Sequence, residues 1–275
     1  MFRSFNSAVL TFILIAVVFK MAQSTRIDEL LNLDYLRKSL VRQEDTIIFY
    51  LIERAKYPRN LALYEEKCVP ESSDSLFDFF LKESDALQAK AGRYTSPEEN
   101  AFFPDKLPAP LLRSLNSSTQ ILHPAGASIN VNDKISHFYL KKLLPLITSE
   151  GDDGNYAATA VSDLDCLQAL SRRIHLGKFV AEVKFRDAPA DYTPAVHAKN
   201  REALMELLTF PSVEKAIKKR VAKKAMIFGQ DVDLQENDTN GKYKVNPSVV
   251  SQLYEEWVMP LTKYVEVEYL LRRLE

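Results

Sequence analysis

Several cationic side chains of this sequence stand on helix faces that are otherwise apolar. Arg173 and Lys184 are 11 residues apart in a segment of helical periodicity, and at about 100° per residue both project from one face. Their alpha carbons would lie about 16 Å apart, which two long side chains can close around a small ligand. Arg37 stands among leucine and valine at helical spacing, where an unpaired buried guanidinium costs several kcal/mol and therefore needs an anion.

An acidic residue near the C-terminus could complete such a site. Thr262 and Glu266 form an i, i+4 pair in the last predicted helix and share one face. Together with the cations they suggest a cationic pocket with one carboxylate, suited to a small dianion. Structural alternatives stay open, because Arg37 could extend into solvent and Arg173 could pair with a core carboxylate. Thr262 and Glu266 could equally be solvated, and periodicity alone does not name the dianion.

Helices must position these residues, because apolar spacings of three and four dominate and no strand pattern or repeat is evident. The five prolines of residues 95–127 indicate an irregular connection, and residues 230–244 read as a polar loop. The predicted helices run from Ile27 to Pro58, over 75–94, over 131–148, over 159–185 as the clearest one, from a Ser212 cap to 228–229, and from Asn246 to the C-terminus with a kink at Pro260. The predicted fold is all-α, with one domain over residues 25–275.

The composition limits the classes of function. The chain has 275 residues, and 36 Lys and Arg balance 37 Asp and Glu, which argues against a nucleic-acid partner. Only 7 glycines favour long helices with few tight turns. Nucleotide-binding, zinc-protease and nucleophile-elbow motifs are absent, and the 4 histidines lack the spacing of a metal site. We therefore predict no cofactor and no metal.

Three further features have structural interpretations. His175 could contact a ligand, but a hydrogen-bonded structural histidine is the favoured reading. Cys166 stands among apolar helix positions and is predicted to be buried and inert. The basic run 215–224 could bind an anion, although a solvated helix face is favoured.

The first 24 residues have the layout of a secretory signal peptide. Arg3 precedes an apolar run over residues 8–19, and the small residues Ala22 and Ser24 follow. Twelve helical residues span about 18 Å, so a stable membrane anchor is not predicted. A start at Met21 is the alternative interpretation, and secretory entry and a cytoplasmic location are equally open at this point.

Long stretches of the chain resemble the eukaryotic, all-helical chorismate mutases, and the plant members most closely. The resemblance is carried by LNLDYLRKSLVRQEDTIIFYLIERA (31–55), CLQALSRRIHLGKFVAEVKFRDAP (166–189) and PLTKYVEVEYLLRRLE (260–275), with FFPDK (102–106) and GDDGNY (151–156) in addition. It covers the chain from about residue 30 to the end. It implies the cofactor-free Claisen rearrangement of chorismate to prephenate, on the way to phenylalanine and tyrosine.

The resemblance also assigns roles to particular residues. Arg37 and Arg173 match the arginines that hold the substrate carboxylates. Lys184 and Glu266 match the residues on either side of the ether oxygen, and Glu266 must be protonated to donate a hydrogen bond there. Glu214 matches a contact to the ring hydroxyl, and Thr262 a supporting polar contact. Phe210 stands where a fungal member has an active-site Asn, so a backbone contact would survive and a side-chain contact would be lost.

The family resemblance further implies a homodimer with an aromatic amino acid effector site at its interface. Arg93 and Asn155 fit that site. Ala157 and Ala158 stand where regulated members have Gly-Ser, and alanine cannot donate the hydrogen bond of a serine hydroxyl. We therefore expect weak or absent responses to tyrosine and tryptophan.

Two other functions compete with the enzyme. A secreted, non-catalytic member of the same fold would explain the signal-like N-terminus, but it would have no need of Glu266 opposite Lys184. A purely structural helical protein would leave Arg37 and Arg173 on apolar faces unexplained.

Overall fold

The structure is a computed structural model that describes residues 30–66, 73–112, 121–230 and 243–275. Within those ranges no residue belongs to a strand, and the all-α prediction is confirmed. The α-helices of these ranges are α1 (Leu33–Arg54), α2 (Leu76–Lys90), α3 (Pro124–Ala127), α4 (Asn132–Phe138), α5 (Leu144–Ile147), α6 (Tyr156–His175), α7 (Gly177–Asp187), α8 (Pro189–His197), α9 (Arg201–Leu208), α10 (Pro211–Gly229), α11 (Pro247–Leu253) and α12 (Met259–Leu271).

Helix α1 is shorter at both ends than the sequence predicted. The Asn32 side chain caps it by accepting a hydrogen bond of 3.0 Å from the Tyr35 backbone N–H. The expectation of one continuous helix from Ile27 is therefore wrong. Ile27 itself lies outside the described residues. The helix ends at Arg54, before Pro58. The Arg54 guanidinium turns back to the carbonyl oxygens of Tyr57 and Pro58, at 3.1 and 3.2 Å, and holds the chain in a turn there.

Helices α6 and α7 divide the segment that was predicted as one helix over 159–185. That prediction is wrong at Leu176, where the first helix ends and Gly177 begins the second. A Cβ on Gly177 would lie 2.8 Å from the Thr262 carbonyl oxygen, closer than van der Waals contact allows. The glycine therefore lets α12 pack closely against this boundary.

Two prolines follow turns of π-helix. Residues Tyr139–Leu143 join α4 to α5, and residues Tyr254–Val258 join α11 to α12. Pro145 and Pro260 stand at the starts of α5 and α12. Proline lacks a backbone N–H and its ring crowds the carbonyl oxygen four residues earlier, and a wider π turn accommodates both effects. The kink predicted at Pro260 stays a prediction, and the structure places a π turn directly before this residue.

Other boundaries differ in detail from the sequence prediction. Ser75 caps α2 by accepting from the Asp78 backbone N–H at 3.0 Å, and the helix ends at Lys90 and not at residue 94. The cap of α10 is Phe210 and not Ser212, because Pro211 occupies the first turn. The connection over 95–127 is irregular where it is described, apart from short turns and α3. Residues 231–242 of the predicted polar loop lie outside the described residues.

The core joins the helices that carry the predicted site. Helix α1 packs against α6, α7 packs along α12, α9 lies on α12, and α10 lies on α1 and α11. A buried ion pair fixes α1 to α6, with Arg54 Nε 2.6 Å from Asp163 Oδ1, which also accepts from Tyr139 Oη at 2.7 Å. No helix of the described ranges has both the length and the apolar run needed to cross a bilayer.

Candidate active site

Lys184 on α7 and Glu266 on α12 form the centre of the site. Lys184 Nζ lies 3.1 Å from Glu266 Oε2, and the two side chains are 18% and 7% exposed. Burial raises the pKa of Glu266, although the charge of Lys184 acts in the opposite direction. A carboxyl group of this kind can hold its proton at a higher pH than a solvated one. The pair can therefore present both a cation and a proton donor to a ligand.

Arg173 on α6 lies beside this pair and is buried. Its Nη1 donates to Thr262 Oγ1 at 3.3 Å, while its Nε has no hydrogen-bond partner among the described residues. Burial lowers the pKa of Arg173, and the nearby carboxylates Glu44 and Glu266 oppose that shift. An unsatisfied buried donor costs about 1–3 kcal/mol, so this guanidinium is well placed to gain from an anionic ligand.

Thr262 holds its hydroxyl in a fixed orientation on α12. Its Oγ1 donates to the Val258 carbonyl oxygen at 2.6 Å, across the junction of the π turn and α12. The hydroxyl proton is then engaged, and the oxygen lone pairs are available to Arg173. The predicted residues Arg173, Lys184, Thr262 and Glu266 are thus brought together.

The corner between α9 and α10 closes one side of the site. Lys263 Nζ lies 2.8 Å from Glu214 Oε1 and 3.3 Å from Thr209 Oγ1, which ties this corner to α12. Phe210 lies between those two anchors in the chain, and its ring centroid is 5.3 Å from Lys184 Nζ. The predicted residues Glu214 and Phe210 therefore lie at the rim of the same site.

Arg37 is not brought to this centre. Its side chain is 66% exposed, and its Nη1 lies 3.1 Å from Asp34 Oδ1. The expectation that Arg37 is buried is wrong because its apolar neighbours on the stripe, Leu33, Leu40 and Val41, are themselves only half-buried. At this end of α1 the stripe meets the surface.

Sequence reasoning missed a second charged group next to Arg173. Glu44 follows Arg37 by two turns on α1 and is buried. It accepts two hydrogen bonds from Arg220, from Nε at 2.8 Å and from Nη2 at 2.6 Å, and it lies 3.1 Å from Lys224 Nζ. The charge of Glu44 also acts on Arg173.

The solvated-face interpretation of the basic run 215–224 is therefore wrong for Arg220 and Lys224. The signal was available in their i, i+4 spacing beside the buried Val221 and Ala225. Tyr254, in the π turn before α12, was also missed. Its buried hydroxyl has no hydrogen-bond partner among the described residues, and its pKa is raised by burial.

The chemistry of the site follows from these contacts. It holds an arginine whose Nε has no partner among the described residues, an ammonium group and a carboxyl group with a raised pKa, all largely removed from water. Electrostatic interactions are stronger in such a setting than in bulk water. The arrangement can bind a small dianion and can place a cation and a proton donor on one of its oxygens.

The family model for chorismate mutase type II matches residues 155–267. Chorismate mutase 2 of Petunia hybrida is 58% identical over 251 residues, which cover 90% of this chain and 95% of that protein. This chain belongs to the chorismate mutase family. The cytosolic chorismate mutase 2 of Zea mays is 52% identical and covers 89% of this chain and 97% of its own length.

Solved chorismate mutase structures share the fold. The Aro7p chorismate mutase of Candida albicans, in complex with L-Trp, has a TM-score of 0.84 at 37% identity, over 89% of this chain and 92% of that one. The chorismate mutase AtCM1, with tyrosine bound in its allosteric site, has a TM-score of 0.79 at 49% identity, over 89% of this chain and 97% of that one. The predicted chorismate mutase fold and isomerase activity are confirmed, and a non-catalytic binding protein is not favoured.

The predicted effector residues of this chorismate mutase do not form one cluster within a single chain. Arg93 is occupied by its own chain, with Nε 2.9 Å from Glu99 Oε2 and further hydrogen bonds to Gln88 and Gln168. Asn155 precedes α6 and contacts Asp153. It stands 13 residues before Gln168, about 20 Å away along a helix.

The positions with small side chains, Ala157 and Ala158, lie in the first turn of α6, next to Asn155 and away from Arg93. Ala157 is exposed and Ala158 is half-buried. One chain therefore offers two separate parts of the predicted effector site.

The surroundings of His175 and Cys166 indicate structural roles for both residues. His175 Nε2 accepts from the Val131 backbone N–H at 3.0 Å, and Nδ1 lies 2.8 Å from the Ser171 carbonyl oxygen. Burial lowers the pKa of His175 to about 3, so the ring is neutral. Cys166 is buried, as predicted. Within the four described ranges, no group of three or more His, Cys, Asp or Glu is arranged to hold a metal ion.

The division of the chain into residues 1–24 and a chorismate mutase domain over 25–275 stays a prediction. The signal-like segment lies outside the described residues.

Proposed function

We propose that this chorismate mutase converts chorismate to prephenate in the pocket between α6, α7, α10 and α12, as a step toward phenylalanine and tyrosine. The observation that carries the proposal is the buried Lys184–Glu266 pair next to Arg173, whose Nε has no partner among the described residues. A dianion with an ether oxygen fits these groups: carboxylates can face arginine, and the ether oxygen can face the pair.

The reaction requires the protein to orient the substrate and to stabilise the charge that develops in the transition state. The ether C–O bond of chorismate breaks as a new C–C bond forms within the same molecule, so no atom or electron leaves and no cofactor is expected. A flexible substrate must be held in a compact conformation that brings the two carbon atoms together. In our proposal Arg173 does this through a planar fork of donors that suits a carboxylate.

Lys184 and Glu266 act on the ether oxygen in this proposal. Negative charge grows on that oxygen as the C–O bond lengthens, and the Lys184 ammonium stabilises it without moving. Glu266 donates a hydrogen bond to the same oxygen in its protonated form. The raised pKa of Glu266 supports this role. Thr262 orients Arg173, and Glu214 at the rim takes the ring hydroxyl.

We also propose that Arg37 enters the site when the substrate is bound. It stands seven residues before the buried Glu44, and a separation of two turns places both on one face of α1. Its pairing with Asp34 is exposed on both sides, and exposed ion pairs contribute only about 0–1 kcal/mol. A substrate carboxylate can replace Asp34 as the partner of Arg37 at little cost.

Replacement of Glu266 tests its protonation state. The carboxyl group can donate below its raised pKa and loses that ability as the pH rises through it, so the kcat of the parent enzyme should fall at high pH. Glu266→Gln supplies an amide donor that does not titrate. We expect it to keep activity within about tenfold of the parent at neutral pH and to show no alkaline fall. The measurement is kcat against pH from 5 to 10.

A neighbouring glutamate on α12 gives the matched control. Glu268 pairs with Arg201 and Arg272, so Glu268→Gln should keep the parent profile. If Glu266→Gln still loses activity at high pH as the parent does, Glu266 is not the titrating donor.

We propose a homodimer with a poorly responsive effector site. Helix α2 exposes Leu76, Phe79 and Leu87, and exposed apolar side chains on one helix favour an interface. A dimer could bring Arg93 of one chain toward residue 155 of the other. The engagement of Arg93 by Glu99 in its own chain supports a weak response, because an effector carboxylate would have to displace an internal one.

Dose–response curves test the regulatory proposal. Tyrosine and tryptophan at up to millimolar concentration are expected to change kcat/KM by less than about twofold, which corresponds to less than roughly 0.4 kcal/mol of coupling. Light scattering on the same sample checks the dimer on which the site depends. Inhibition or activation of several-fold would show that Ala157 and Ala158 do not impair the site.

We propose a cytoplasmic location. The relative from Zea mays that is named cytosolic supports it, although a Petunia hybrida relative, 48% identical, is named chloroplastic. A fluorescent protein fused to the C-terminus of the full chain should give diffuse cytoplasmic signal, and retention in secretory compartments would contradict the proposal.

A further inference from the structure

Phe210 lies over the ammonium group of Lys184 and not in the core. Its ring centroid is 5.3 Å from Lys184 Nζ, within the range of a cation–π contact. The ring is half exposed, whereas the ammonium beneath it belongs to a side chain that is 18% exposed. On its other side the ammonium meets Glu266 Oε2 at 3.1 Å. Lys184 is thus held between an aromatic face and a carboxyl group.

Backbone hydrogen bonds fix the chain at Phe210. Phe210 is the N-cap residue of α10, and its carbonyl oxygen accepts from the backbone N–H groups of Val213 and Glu214, at 3.0 and 3.1 Å. The residues on either side are tied to α12, because Lys263 binds Thr209 and Glu214. The backbone of this half-exposed phenylalanine is therefore held in place at the rim of the site.

We propose that Phe210 is a positioning residue that covers the Lys184–Glu266 pair: its ring keeps Lys184 Nζ against Glu266 and keeps water from the pair. The inference rests on the roles proposed above for Lys184 and Glu266. A lysine has four rotatable bonds, and a second contact on the ammonium limits the positions that it can adopt. Water at the pair would weaken its electrostatic effect on the ether oxygen.

Several charged and titratable groups face Glu266, and of these Lys184 contacts the ring of Phe210. Lys184 faces it from α7, Arg173 from α6 and Lys263 from its own helix. Burial and the charge of Glu266 raise the pKa of Tyr192 on α8. Glu214 acts on this group through Lys263. A substitution at residue 210 leaves Arg173, Lys263 and Tyr192 in place, and a Lys184 ammonium that moved away from Glu266 would raise the pKa of Glu266, so a fall in that pKa reports hydration.

Three variants separate the two effects of the ring. Phe210→Ala removes both, and we expect kcat to fall about 2- to 30-fold, the range of a cation–π contact, with a smaller change in KM. Its alkaline fall in kcat should move to lower pH, because hydration lowers the pKa of Glu266. Phe210→Tyr should match the parent. Phe210→Leu should keep the parent pH profile, because it excludes water, but should lose part of kcat.

Controls make the result specific. Phe49→Leu changes a comparably exposed phenylalanine on α1, whose ring stacks on Phe228 and not on Lys184, and should leave kcat and the pH profile unchanged. Circular dichroism and the melting temperature show that each variant is folded, and the leucine and tyrosine variants carry the test if the alanine variant is not. A folded Phe210→Ala with the parent kcat and pH profile would overturn the inference.

Lys184→Ala, measured beside these variants, separates this inference from the site assignment. An inactive Lys184→Ala next to an unaffected Phe210→Ala overturns only the role of Phe210. An active Lys184→Ala overturns the site assignment and this inference with it.

Discussion

Lys184→Ala is expected to lower kcat by at least about 100- to 1,000-fold, the usual effect of removing one donor from a transition-state oxygen. The alanine removes the ammonium that lies 3.1 Å from Glu266 Oε2. In the proposed mechanism that ammonium acts mainly on charge that develops during the reaction, so kcat and kcat/KM should fall together. The measurement is the consumption of chorismate by residues 25–275 under saturating and dilute substrate.

A surface lysine provides the comparison for Lys184→Ala. Lys218 pairs with Glu255, which is more than half exposed, and Lys218→Ala should retain full activity. The Lys184 variant should still fold, since Glu266 can stay protonated when its partner is gone and then carries no unpaired charge. Activity of Lys184→Ala within threefold of the parent would contradict the electrostatic mechanism.

The central residues of the site could be predicted from periodicity because the helix break is small. Arg173 and Lys184 lie on different helices, yet Leu176 between them keeps right-handed helical dihedrals, φ −57° and ψ −17°. The chain therefore continues in nearly the same helical phase, and the two faces stay aligned toward α12. Thr262 and Glu266 are four residues apart within one helix, so the same periodicity places them on one face.

Helical periodicity could not predict the contacts at the rim of the site or the buried Glu44 and its partners. Arg220 and Glu44 are 176 residues apart in sequence, and helical spacing does not show which distant helix a charge will meet. The exposure of Arg37 could not be predicted for a related reason. Its apolar neighbours were visible in the sequence, but how much of that stripe other helices cover is a property of the assembled fold.

Two buried arginines show how the structure distinguishes support from binding. The donors of Arg54 are satisfied by its own chain, through Asp163, Tyr64 and the carbonyl oxygens of residues 57–59. Arg173 has Thr262 as its hydrogen-bond partner, and its Nε has none among the described residues. Burial alone would treat these guanidinium groups as equivalent, whereas their hydrogen bonds predict opposite consequences of substitution.

Substitution by methionine, which has similar length and no charge, tests this contrast. Arg173→Met should lower kcat/KM by about 30- to 4,000-fold, since the loss of one member of a buried charge pair costs about 2–5 kcal/mol. Its melting temperature should equal or exceed that of the parent, because a buried and partly unsatisfied cation is removed.

Arg54→Met should instead leave Asp163 as a buried carboxylate without its cation, at a cost of about 3–5 kcal/mol, and lower the melting temperature by roughly 10 °C. Calorimetry with and without prephenate completes the comparison, because this product, which the parent does not consume, should stabilise the parent and not Arg173→Met. If Arg173→Met melts as far below the parent as Arg54→Met does, Arg173 is a structural residue and the anion site lies elsewhere.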